Sequence, residues 1–99
     1  MGQLLRFRLK DADAHWQEAF EHYDIPEHTK GELIRYIDDH LPPGHFLTAV
    51  LGNQLFEAMW QADALNRAAL RDICKFIYNQ APADCWGDLK TVKEWVGGR

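Results

Sequence analysis

The chain has 99 residues, with 11 Lys plus Arg against 15 Asp plus Glu, for a net charge of −4. Hydrophobic residues make up 46% and charged residues 26%, the balance of one ordinary folded domain, which excludes a disordered or low-complexity chain. No apolar run approaches the ~18–20 residues of a membrane span, and no hydrophobic leader block follows the first residues.

Charge is unevenly distributed. Residues 1–10 carry Arg6, Arg8 and Lys10 and no acid, whereas residues 11–28 carry six acids and no Lys or Arg. Leu5, Phe7 and Leu9 alternate with those three cations, the period-two signature of a half-buried strand. No other segment reads as a strand. Residues 1–10 are therefore expected to form an N-terminal arm packed on the body, a strand paired with another chain, or a frayed tail.

Residues 11–99 read as a single helical domain. Asp11 and Asp13 are N-cap candidates, and Trp16, Ala19, Phe20 and Tyr23 fall on one face of the helix that follows. Ile25-Pro26 ends it, because a residue before proline avoids the α region. Thr29 and Glu32 have capping-box spacing and open a second helix offering Leu33, Ile34, Ile37 and Leu41 to a core. Pro42-Pro43-Gly44 stops it.

The pattern resumes with Phe46, Leu47, Val50 and Leu51, then breaks at Gly52-Asn53, where Asn53 caps a new helix or Gly52 marks a kink. Leu55, Phe56, Met59 and Ala62 continue an apolar face that Trp60 widens. Asp63 opens a helix whose stripe is Leu65, Leu70, Ile73, Phe76 and Ile77, with Cys74 beside it. Pro82 limits that helix. Asp88 caps a last one carrying Leu89, Val92, Trp95 and Val96, which Gly97-Gly98 closes. The expectation is an all-α fold, a compact irregular or orthogonal bundle of four to six short helices with a short N-terminal arm, because helices this short gain stability only by packing their apolar faces together.

The stretch Ile25 to Val96 resembles a group of small uncharacterised phage and prophage proteins. The likeness is carried by Ile25-Pro26, Thr29, the run from Pro42 to Leu55, Ala62-Asp63, Asn66, Ile77-Tyr78-Asn79, Pro82, Cys85-Trp86-Gly87 and Trp95. The chain departs from the group at His45, where Gly is frequent, and at Gln54, where Asp is. The resemblance implies a bacterial cytoplasmic setting and a phage–host role, and supplies no mechanism.

Sites of chemistry are sparse. Asp11, His15, Glu18 and His22 are spaced to share a helix face and are weak candidate metal ligands; the plainer reading is a solvated face, and no metal or other cofactor is expected. Asp38, Asp39, His40 and His45 bring acid and imidazole near the Pro-Pro-Gly turn, with His40 best explained as a cation at a helix C-terminus. Cys74 reads as a buried filler among Leu70, Ile73 and Ile77, and Cys85 as the more accessible thiol in a loop; two such cysteines suit a reducing compartment. Asn53, Asp63 and Asn66 read as caps, and Trp86 and Trp95 as core fillers. No phosphate loop, catalytic-triad order or zinc-protease motif occurs.

These features favour a non-enzymatic protein-binding module that engages a bacterial protein, with Leu5, Phe7, Leu9 and Trp60 as candidate contacts and a homodimer as a further expectation. The alternative is a nucleic-acid-associated accessory factor using Arg6, Arg8, Lys10, Arg67, Arg71, Lys75, Lys90 and Lys93, although a net acidic chain repels phosphate backbones.

Overall fold

The computed structural model describes residues 15–98. The first helix, α1, is described over residues 15–20. It is followed by α2 (Glu27–Asp39), α3 (His45–Leu51), α4 (Leu55–Gln61), α5 (Ala64–Ala68), α6 (Leu70–Gln80), a 3-10 turn (Ala83–Cys85) and α7 (Leu89–Val96). Among the described residues there is no strand. The all-α bundle is thus observed, and its helices are short enough that tertiary packing, rather than propensity, holds them. The strand-like arm, with Leu5, Phe7 and Leu9, lies outside the described residues.

α2 is the central element. It begins three residues earlier than the capping-box spacing suggests, because Pro26 takes the N-cap position at φ −59°. Its carbonyl accepts from the N–H groups of both Thr29 and Lys30 at 3.0 Å. Proline suits a helix start, since its fixed φ is already helical and its missing N–H would have no partner there. Thr29 is therefore not a cap: it is fully buried, and its hydroxyl donates to Asn66 Oδ1 at 2.6 Å. Glu32 turns away from the helix start and accepts from the backbone N–H of Gly44, tying α2 to the start of α3. α2 closes at His40, whose left-handed backbone (φ 58°) turns the chain. Leu41 lies beyond this turn and is exposed rather than core.

Two aromatic arrangements tie α1, α6 and α7 into the body around α2. On one side, Phe20 stacks on Phe76 of α6 with centroids 4.3 Å apart, while Trp16 and the edge-on Tyr23 close around the same ring at 6.0 and 5.5 Å. The Trp16 indole N–H donates to Asp38 Oδ2 at 2.8 Å, which pins α1 along α2. On the other side, the Tyr36 hydroxyl donates to the Cys85 carbonyl at 2.7 Å, and the Trp95 indole N–H donates to the Tyr36 carbonyl at 2.8 Å. His40 Nδ1 sits 2.7 Å from the Trp95 carbonyl, with its ring over the Trp95 ring. Trp95 is only partly buried, so it serves the core and the α2–α7 seam together.

α3 and α4 are joined by a tight reversal. The N–H of Gln54 donates to the Ala49 carbonyl and that of Asn53 to the Val50 carbonyl, with Asn53 at φ 61°. This pair of bonds is the Schellman closure, in which a left-handed residue satisfies the last carbonyls of a helix. Asn53 therefore ends α3 instead of opening α4, whose N-cap is Gln54. Gly52, just before it, lies against α7: a Cβ there would stand 2.5 Å from Leu89 Cδ2, so a larger residue would require the half-exposed Leu89 side chain to move aside.

The helix expected across residues 64–80 is divided at Ala69. Its backbone (φ −98°, ψ 3°) ends α5 and caps the start of α6. Asp63 caps α5 through a 2.7 Å bond to the Asn66 N–H, as expected. Asn66 is itself interior to α5 and buried against Thr29, so it is not a cap. Asp88 caps α7 through the Thr91 N–H at 2.8 Å, a bond that holds its carboxyl below the ordinary range.

Candidate functional site

α4 is built the wrong way round for a core helix. Of its seven residues only Ala58 is buried. At about 100° per residue, positions two before and two after Ala58 lie roughly opposite it, and these are Phe56 and Trp60. They are 86% and 85% exposed. Leu55 (63% exposed) and Met59 (42% exposed) extend the same outward sector toward α6. The one carboxylate of α4, Glu57, is on the other flank, where its Oε2 accepts from the Gln61 side-chain amide at 2.8 Å. The apolar stripe foreseen here exists, but it faces solvent while the small Ala58 and Ala62 make the core contact.

The reason is spatial. α4 lies along α3 immediately after the Schellman reversal, which leaves no room for large side chains between them. The inner flank of α4 meets Leu70 and Cys74 of α6 across a small gap lined also by Ala49 and Val50. At the start of α4, Asn53, Gln54, Leu55, Phe56 and Glu57 border a shallow depression of about 260 Å³. Scattered exposed apolar residues are ordinary; two aromatics and two aliphatics on one uncharged helix face form a patch of the kind that marks a contact surface.

The other sequence-derived sites are not assembled in this way. Leu5, Phe7, Leu9 and Asp11 lie outside the described residues. His15 and Glu18 are exposed on α1, and His22 is in the turn beyond its end, so the helical spacing that linked the set does not continue to His22. Among the described residues no group of three or more His, Cys, Asp or Glu is positioned around a common point. Asp38 is committed to the Trp16 indole and His40 to the Trp95 carbonyl. Of the basic set, Arg6, Arg8 and Lys10 lie outside the described residues. Arg67 turns toward the Ala62 carbonyl on α5, Arg71 and Lys75 stand one turn apart on α6, and Lys90 and Lys93 are on α7. No helix among the described residues is long and apolar enough to cross a membrane.

Two open grooves flank α2. One, of about 480 Å³, runs beside α1 between Phe20 and Arg35; Lys30 lies over the Phe20 ring there and pairs with Glu27 at 3.3 Å. The other, of about 760 Å³, lies between the start of α2 and the α5–α6 corner. At its edge His28 is 3.7 Å from Asp63, and Asp72 accepts from the Asp24 backbone N–H. In these grooves Lys30 and Glu27 pair with each other, His28 pairs with Asp63, and Asp72 is held by backbone.

The cysteines reverse their expected places. Cys85 is fully buried beneath Tyr36, because the 3-10 turn folds it inward, whereas Cys74 is exposed at the α4–α6 edge. Burial pushes the Cys85 thiol up to about 12, and partial desolvation where Cys74 faces α4 raises that thiol too. At about pH 8 a thiol reagent is expected to modify Cys74 first and Cys85 only after unfolding, as read by mass spectrometry of the native and denatured chain. Modification of native Cys85 ahead of Cys74 would refute this packing. Trp86 stands edge-on to Tyr78, and its buried indole N–H has no acceptor among the described residues.

Comparison of the chain with protein-family models, with curated proteins and with solved structures finds no match.

Proposed function

We propose that the protein is a non-enzymatic protein-binding module of phage or prophage type, which acts in the bacterial cytoplasm and modulates a host protein complex through the outer face of α4. The observation that carries this reading is the pairing of Phe56 and Trp60, one helical turn apart and almost fully exposed, on a sector without charge. Aromatic residues of this kind dominate binding energy when a partner excludes water from them. A helix presenting them at i and i+4 offers an anchor spacing suited to a partner's groove. The phage–host element of the reading comes from the resemblance across Ile25–Val96.

The test is a paired capture. Wild-type chain and the Phe56→Lys/Trp60→Lys double variant are immobilised and exposed to bacterial lysate at near-cellular salt. A specific protein retained by the wild type should fall at least about tenfold with the variant. Both side chains are exposed, so circular dichroism of the variant should be unchanged. Equal retention by both chains would place the contact elsewhere.

A further inference from the structure

We propose that the outer face of α4 pairs with the same face of a second copy of this chain, forming a twofold dimer with antiparallel α4 helices. This rests on the reading of that face as a protein contact and names its occupant.

The first argument is register. A twofold interface sets residue i of one copy against j of the other, and j against i. Phe56 and Trp60 are placed symmetrically about Ala58, the midpoint of the seven-residue helix. Antiparallel helices related by a twofold axis at that midpoint bring Phe56 of each copy opposite Trp60 of the other, about 6 Å along the axis from the reciprocal pair. The depression at the start of α4, bordered by Leu55 and Phe56, then lies under the indole arriving from the opposite copy. One sequence feature thus supplies both halves of the contact.

The second argument is charge. Each chain carries −4, so two copies repel wherever acidic surfaces meet. The sector formed by Leu55, Phe56, Met59 and Trp60 has no charged group, and Glu57 stays at its rim, bonded to Gln61. A face without charge can meet its own image without a like-charge penalty.

The third is area. Each aromatic side chain offers ~150–250 Å², and both are about 85% exposed, so the rings on two copies provide roughly 500–850 Å². Leu55 and Met59 bring the total toward ~1,200 Å², the lower limit of stable interfaces. The expected dimer is consequently weak, with a dissociation constant of about 1–100 µM. Host-protein binding through the same residues then competes with self-association.

Sedimentation of the full chain from about 1 to about 200 µM tests this. The expected result is a mass that rises from monomer to dimer. Salt raised from about 0.05 to about 0.5 M should strengthen association by screening the net charge. Trp60→Lys should weaken it at least about 30-fold, and Phe56→Lys likewise. A monomer at every concentration overturns the dimer, as it would if residues 1–14 of the same chain covered the face. A dimer that survives both substitutions, or that salt dissociates, also overturns it by placing the contact elsewhere. Monomeric mass together with capture that still depends on Phe56 and Trp60 would sink the dimer alone; loss of that capture as well would sink the reading beneath it.

Discussion

Phe76→Ala is expected to lower the unfolding free energy by about 3–5 kcal/mol, the usual cost of deleting a buried aromatic ring. Phe76 is fully buried, and three rings close on it: Trp16, Phe20 and Tyr23. Deletion leaves a cavity at the point where α1 and α6 meet, so that α1 is held chiefly by its contacts with α2, the Trp16–Asp38 hydrogen bond and Lys30 over the Phe20 ring. A domain of this size has a total stability of about 5–15 kcal/mol, so the variant should lie near the edge of folding. Urea titration followed by tryptophan fluorescence checks the prediction. Phe76→Leu, which keeps most of the volume, should cost less than the alanine variant. A loss under about 1 kcal/mol for Phe76→Ala would mean that the aromatic seam does not anchor α1.

Thr29→Val is expected to cost about 1–3 kcal/mol although it scarcely changes shape. The Thr29 hydroxyl donates to Asn66 Oδ1 at 2.6 Å, and both residues are buried. Valine removes the donor and leaves a buried amide oxygen without its partner, which costs more than the bond itself contributed. Asn66→Leu makes the reciprocal error by orphaning the hydroxyl. The double variant Thr29→Val/Asn66→Leu removes both polar groups, so its loss should be smaller than the sum of the single losses by at least about 0.5 kcal/mol. Strict additivity in urea titrations of the four chains would show that the two side chains do not depend on each other.

That pair also shows where sequence reasoning reaches its limit. Thr29 and Asn66 both have the chemistry of caps, and nothing local distinguishes a capping hydroxyl from a buried one 37 residues away from its acceptor. Pro26 took the start of α2 because a fixed φ and a missing N–H are local properties, but that outcome moved Thr29 inward. The break at Ala69 has no local signal either, since Arg67-Ala68-Ala69-Leu70 contains no glycine or proline. It is set by where α6 must lie to put Phe76 against Phe20. The places of the cysteines reversed for the same reason: a three-residue turn carried Cys85 under Tyr36 while α6 turned Cys74 toward the rim of α4.

The candidate surface was half legible. Trp60 stood out because it widened an apolar stripe already occupied by Leu55, Phe56 and Met59. Periodicity reports that residues share a face and not which way the face points. Only the packing of α4 through Ala58 turned it outward.

By itself the sequence determined that the described chain is helical, where proline and glycine interrupt it, and that Asp63 and Asp88 begin helices, because backbone sterics and short-range hydrogen bonds act over a few residues. The tertiary structure decided which faces are hidden, which polar groups are paired inside, and that two aromatics of α4 stand in water. Those outcomes depend on competition for a limited interior, where a helix that follows a tight reversal can contribute only what fits beside its neighbour.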